Sequence, residues 1–228
     1  MAKFVTVEEA VALIPDGATI MCGGFMGCGN AHKIIDALSK SGKGNFTLIS
    51  NDGSMPGGPL GEDYYGVAKL IHNHQVKHLI ATHGGLNPEV AQQMNEGTMK
   101  VDLIPQGSLA EMIRANGAGL GGGTPTGVGT IVEDNKDFCL GKQTINGRDY
   151  LLMKTVHADV AIICGHKIDK AGNVWYKGTT RNFNLPMATA ADLVIAEADQ
   201  VVEIGEIEPE NVHTYGVFVD YVVDGGKA

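Results

Sequence analysis

Short apolar runs recur along this chain: TIMC from position 19, FTLIS from 46, HLIAT from 78, VDLI from 101, DVAIIC from 159, DLVIAEA from 192 and GVFVDYVV from 216. Between several of them lie NAHKIIDALS, PEVAQQMNEG and SLAEMIRANG, whose apolar residues fall three and four apart and which end near glycine, the pattern of amphipathic helices. Runs that are apolar at nearly every position suit strands buried on both faces, and strands alternating with helices build βαβ units. The spacing therefore predicts an α/β fold: an open, mostly parallel sheet flanked by helices. The alternation breaks between 117 and 149, where GAGLGGGTPTGVGT gives way to a polar stretch. There Asn146-Gly147, set between TI and YLLM, predicts a hairpin turn, so the second half carries a β-rich elaboration. No repeat, charge block or linker divides the chain, and residues 1–228 are read as a single domain.

The overall charge narrows the function classes. A formal charge of -9 and a pI near 5.3 disfavour a polyanion partner, because nucleic-acid affinity rests on neutralising phosphates. Glu8 and Glu9 interrupt the mildly apolar N-terminal run, which leaves no secretory core, and no stretch approaches the ~18 apolar residues of a membrane span. Cys22, Cys28, Cys139 and Cys164 show neither CxxC spacing nor the density of a disulfide scaffold. Reduced thiols and a cytoplasmic location are the expectation, with neither nucleic acid nor membrane as a partner.

Between strand TIMC and helix NAHKIIDALS stands GGFMGCG, with Gly23, Gly24, Gly27 and Gly29 close together. Glycines at a strand-to-helix junction permit positive φ and let a ligand reach main chain that side chains would shield. The spacing matches neither GxGxxG nor a P-loop, so a phosphate, a pantetheine amide or an acyl oxygen are the ligands to consider, beside the plain alternative of a connecting turn. Gly117 to Gly129 form a second cluster that includes TPTG, read either as a surface loop or as another wall of the same cleft. Asn51 and Asp52 follow strand FTLIS and Gln106 follows VDLIP. Ligands in open α/β sheets bind beyond the carboxyl ends of strands, which makes these side chains candidate donors to a reacting oxygen; turn capping and helix entry are the competing roles.

Other groups carry less. His72, His74, His78 and His83 lack carboxylate or thiol partners at ligand spacing, and no metal site is expected. His166, Asp169 and Asn173 surround a hairpin connection, and Arg181 in TTRNFN suits a structural ion pair or an anionic group. No GxSxG elbow is present, and Glu203 sits in an acidic stretch that reads as an exposed edge. The chain offers no persuasive nucleophile of its own.

DGATIMCGGFMGCG at 16 to 29, SND at 50 to 52, PQGSLAEMIR at 105 to 114, GAGLGG at 117 to 122, TPTGVGT at 124 to 130 and RNFNLP at 181 to 186 together resemble the alpha subunits of family I coenzyme A transferases. The likeness spans nearly the whole chain and is strongest to the acetate/butyrate-acetoacetate branch. One departure stands out: the glycine loop ends Gly29-Asn30-Ala31 where the family has Gly-x-Pro, which alters the helix start more than the chemistry. The resemblance implies ping-pong transfer of CoA between short-chain acyl-CoA and a carboxylic or 3-oxo acid, through a glutamyl-CoA thioester. It places that glutamate in a Ser-Glu-Asn-Gly motif of a beta subunit, in an α2β2 assembly, and this chain has no such motif. It further implies Gln106 as an oxyanion donor, Asn51 as a group that positions the acyl carbonyl, and Gly23, Gly24, Phe25, Met26, Gly27, Cys28 and Gly29 as the surface against CoA. Coenzyme A is then a substrate, with no permanently bound cofactor. Succinyl-CoA:3-oxoacid transfer, thioester hydrolysis and a noncatalytic CoA-binding scaffold remain as alternatives.

Overall fold

The computed structural model describes residues 2–59 and 61–226. The chain begins with β1 (Lys3–Val5), α1 (Val7–Ala12), β2 (Thr19–Cys22), α2 (His32–Ser39) and β3 (Phe46–Ser50). A short antiparallel pair, β4 (Met55–Pro56) and β5 (Tyr64–Tyr65), precedes α3 (Ala68–His72), β6 (Val76–Ala81), α4 (Pro88–Glu96), β7 (Lys100–Leu103) and α5 (Gln106–Gly117). The second half holds β8 (Gly122–Thr124), β9 (Cys139–Ile145), β10 (Arg148–Met153), β11 (Ala158–Asp169) and β12 (Val174–Trp175). It ends with α6 (Asn184–Met187), β13 (Ala191–Val202) and β14 (Tyr221–Asp224).

The main sheet runs in the order β1-β14-β13-β11-β2-β3-β6-β7, each neighbouring pair parallel, with β12 antiparallel beside β11. A separate antiparallel sheet, β8-β10-β9, is the expected β-rich elaboration, and Asn146 (φ 51°) with Gly147 (φ 74°) makes its hairpin turn.

Parallel strands alternate their side chains between two cores. Ile20, Leu48, Leu79, Val160 and Ile162 pack with Ile34, Ile35 and Leu38 of α2 and with Leu70 and Ile71 of α3 on one face. Met21, Ile49, Ile80, Ala161 and Ile163 pack with Leu109, Met112 and Ile113 of α5 on the other. Helix ends follow local chemistry. Thr6 and Glu9 form a reciprocal capping box on α1. Asn87 accepts the Glu89 amide ahead of Pro88 at the start of α4, and Gly97 closes that helix at φ 72°.

The chain enters the centre of the sheet twice. From β2 it proceeds to one side through β3, β6 and β7; from β11 it proceeds to the other through β13 and β14. A crevice opens at the carboxyl ends of strands where the winding reverses, so the β2–β11 boundary is where a ligand site is expected. Two sequence expectations shift in detail. The run from 216 divides into a 3₁₀ turn (Gly216–Phe218) and β14, because only residues 221–224 lie beside β13 and β1. HLIAT forms the end of β6, which begins at Val76 and stops at Ala81. Among the described residues no helix is long and apolar enough to cross a membrane.

Candidate active site

Cys22 ends β2, and the seven residues that follow fold into a tight loop. Phe25 and Cys28 exchange backbone bonds of 3.0 and 2.8 Å around Met26 (φ 51°) and Gly27 (φ 82°), a two-residue turn with both central residues left-handed. The loop is held from beneath by polar side chains. Asn182 Oδ1 accepts from the Gly24 amide at 3.0 Å, while Asn182 Nδ2 donates to the carbonyls of Cys28 and Thr179 at 3.0 and 2.9 Å. Asn184, fully buried, accepts from the Cys164 amide of β11 at 3.0 Å and donates to the carbonyls of Gly29 and Thr180 at 3.0 and 2.8 Å. Asn30 Nδ2 donates to the Gly23 carbonyl. Asp52 accepts the Met26 amide at 2.9 Å through one oxygen and the Ser54 amide at 2.7 Å through the other.

Those contacts explain two of the glycines. A Cβ on Gly23 would lie 1.9 Å from Asn184 Oδ1, and one on Gly27 would lie 2.1 Å from the Tyr65 ring. Both glycines therefore admit the chain's own side chains, and Gly27 also takes a positive φ. The amides of Gly23, Gly24, Phe25, Met26 and Cys28 are all taken by bonds within the chain. What the loop turns toward the crevice is the Phe25 side chain, 39% exposed and among the residues that line a cavity of about 520 Å³.

That cavity lies at the reversal point and draws together groups far apart in sequence. Its polar wall is Asn51, Gln106, Thr179 and Asn182; its apolar wall is Phe25, Ala110, Phe183 and Pro186. Asn51 is 2% exposed and lines the cavity, and Thr82 Oγ1 donates to its Oδ1 at 3.3 Å, which leaves Nδ2 as the donor end of this side chain. Gln106 is the first residue of α5, exposed, and its side chain makes no hydrogen bond among the described residues. The first amides of α5 have no carbonyl one turn earlier in the helix, and the helix dipole adds partial positive charge where Gln106 and Gly107 line the cavity. The site thus brings neutral polar side chains around one volume, and among the described residues no carboxylate lines it. Such an array suits a carbonyl oxygen that gains charge.

The remaining candidates fall elsewhere. His72 stacks on Tyr64 at 3.8 Å and bonds Glu89 at 2.9 Å, whereas His78 bonds Asp102 at 2.7 Å. Among the described residues no group of His, Cys, Asp and Glu is arranged to hold a metal ion. Asp169 accepts the amides of Ala171 and Asn173, both at 2.9 Å, and so caps the β11–β12 turn. Glu203 is exposed and ion-pairs with Lys170 at 2.5 Å. Burial pushes the Cys22 thiol up to about 12, so it stays protonated at neutral pH beneath the loop and is no nucleophile. The second glycine cluster does not line the cavity; it leads into and out of β8. Sequence reasoning reached Asn182 and Asn184 only through the RNFNLP likeness, because their partners in the glycine loop lie over 150 positions away. Ala110 and Phe183 were not singled out at all, since an alanine or phenylalanine in an amphipathic pattern reads as core.

Comparison with known proteins gives this geometry a setting. The family model described as coenzyme A transferase matches residues 4–225. The chain is 42% identical to the acetate CoA-transferase subunit alpha of Escherichia coli, covering 97% of this chain and 96% of that protein. It is 45% identical to the acetoacetyl-CoA:acetate/butyrate CoA transferase alpha subunit of Clostridium acetobutylicum, with 97% of each covered. Among solved structures, an acyl-CoA transferase of E. coli O157:H7 in a thioester complex with CoA superposes with a TM-score of 0.83 at 23% identity; 97% of this chain is covered, and it spans 47% of that longer chain. Glutaconate coenzyme A-transferase of Acidaminococcus fermentans superposes with a TM-score of 0.80 at 20% identity over 97% of this chain and 75% of its own, a likeness of fold. The sequence matches run from one end of the chain to the other and its strand order supplies the matching architecture: the protein is a member of the coenzyme A transferase family, of the alpha-subunit type.

Proposed function

We propose that this chain, working as one domain over residues 1–228, supplies the neutral donor wall of a short-chain acyl-CoA transferase whose attacking glutamate comes from a beta-type partner. The observation that carries the reading is that Asn51, Gln106 and the amino end of α5 line one cavity that, among the described residues, no carboxylate lines. In this reaction the partner's carboxylate attacks the thioester carbonyl of acyl-CoA. The carbonyl oxygen becomes an oxyanion, and the Asn51 and Gln106 amides donate to it. Collapse breaks the C–S bond, which releases CoA thiolate and leaves an acyl-glutamyl anhydride. The thiolate then attacks the glutamyl carbonyl, expels the carboxylic acid as its anion and forms a glutamyl-CoA thioester. A second acid reverses these steps and leaves with CoA, so the thioester's free energy is conserved through covalent relay. Neutral donors suit this path: they favour charge as it develops, whereas a fixed cation would also hold the substrate carboxylates in their ground state.

In this reading the loop of Gly23, Gly24, Phe25, Met26, Gly27, Cys28 and Gly29 lies against CoA, chiefly through Phe25. The partner completes an α2β2 assembly, acetate or butyrate and acetoacetate are the exchanged acids, and the named relatives support that choice. Four free cysteines fit a reducing, cytoplasmic setting. Purified alone the chain has no transferase activity; co-expressed with the beta-type partner it gains full activity. Intact-mass analysis of the complex with acyl-CoA, in the absence of acceptor, shows the CoA adduct on the partner. An adduct on a glutamate of this chain overturns the reading.

A further inference from the structure

The cavity has two chemically different walls, and their placement on one helix sets a length scale. Gln106 and Ala110 are both on α5, four residues apart and hence on one helix face, and both line the cavity. Four residues of helix rise about 6 Å. Ala110 is half-buried and stands with the buried Phe183 and with Pro186, so the cavity changes from polar to apolar within one helical turn. A carbonyl held at the Asn51–Gln106 end would direct its alkyl tail along this turn. Three bonds of extended chain span about 3.8 Å, as between consecutive Cα atoms, which carries the end of a butyryl tail to the Ala110 methyl. The single methyl of an acetyl group stops short of it.

Resting on the transferase reading, we propose that Ala110 determines acyl length: the space above its methyl, bounded by Phe183 and Pro186, receives the third and fourth carbons of the acyl chain. The enzyme is thereby suited to linear short-chain acyl groups of up to about four carbons, and a larger side chain at 110 converts it into an acetyl-selective enzyme. Ala110 touches the part of the substrate that does not react, so its effect falls on discrimination between acids.

The test uses the complex of this chain with its beta-type partner, assayed with acetyl-CoA and butyryl-CoA against isotope-labelled acetate, a two-carbon acceptor that does not need the space above Ala110. Relative to wild type, Ala110→Leu lowers the butyryl to acetyl ratio of kcat/KM at least ~10-fold, since a methylene gained or lost in an apolar pocket changes discrimination by about 10–200-fold. Ala110→Val gives a smaller shift in the same direction and guards against misfolding of the leucine variant. Retained acetyl turnover in either variant reports an intact site. Equal losses for both thioesters, or an unchanged ratio in active Val and Leu variants, overturn the proposal; equal losses with a raised KM for both would assign this wall to the pantetheine arm. A wild-type complex that turns over neither thioester overturns the transferase reading itself, an outcome distinct from any change in ratio.

Discussion

Asn184 and Gly23 form a pair whose coupling can be worked out in advance. Asn184→Ala removes the acceptor of the Cys164 amide and the donor to the carbonyls of Gly29 and Thr180. The Cys164 amide is buried within a central strand, and a buried group left unpaired costs ~1–3 kcal/mol. The two carbonyls are only partly buried and keep some access to water, so the total is about 2–4 kcal/mol. Gly23→Ala reaches the same end from the other side: its Cβ would lie 1.9 Å from Asn184 Oδ1, so the side chain must leave its place and the same bonds break. The double variant Gly23→Ala/Asn184→Ala has no oxygen left to clash and keeps only a tight 3.1 Å approach to the Asn184 Cα, so it costs little more than either single change, ~2–4 kcal/mol, instead of their sum. Urea unfolding followed by the fluorescence of Trp175, the only tryptophan, measures all four proteins. With a slope near ~3 kcal/mol per molar, each single change lowers the midpoint by roughly 1 M. Additive effects in the double variant, or single losses below ~0.5 kcal/mol, would refute the idea that an asparagine occupying the space of a missing Cβ holds this loop.

The remaining predictions concern chemistry and protonation. In the complex, Asn51→Ala or Gln106→Ala lowers kcat by ~10²–10³-fold with little change in KM, read by steady-state kinetics; a change confined to KM would move these residues out of the oxyanion role. The Cys22 thiol, ordinarily near 9.0, is pushed by burial to about 12, so the folded state favours its neutral form. Its contribution to stability is complete below pH 9.0 and is lost as pH climbs toward 12, which makes the wild-type urea midpoint fall more steeply over that window than that of Cys22→Ala. Iodoacetamide at neutral pH labels exposed Cys28 and leaves buried Cys22, Cys139 and Cys164 unlabelled, as peptide mass spectrometry reports.

The architecture was legible because its determinants are local. FTLIS and VDLI announce strands by composition, PEVAQQMNE by period and by the Asn-Pro start and Gly97 stop, and Asn146-Gly147 by its turn chemistry. GVFVDYVV misled because apolar content measures willingness to form a strand, whereas a strand also needs a neighbour to pair with; Val217 remains 85% exposed in a turn. Around the candidate cavity, Asn51 and Gln106 were legible as lining residues from their positions after strands. The glycine loop was recognised, yet the reason for its glycines was hidden, because Asn184 and Tyr65 reach it only after the chain has crossed the sheet. Asp52 was noticed as a polar residue beyond a strand, and its two oxygens turn out to grip Met26 and Ser54. Ala110 carries no signal in one dimension, since its meaning lies in what stands opposite it.

The internal clamping of residues 23–29 bears on affinity. A loop that condenses around its ligand loses conformational freedom at the moment of binding, and the observed association weakens by that amount. Here the asparagine and aspartate contacts order the segment as the protein folds, before any thioester arrives. On the proposed function, mutations that loosen it would therefore weaken ligand capture without removing any group that faces the cavity.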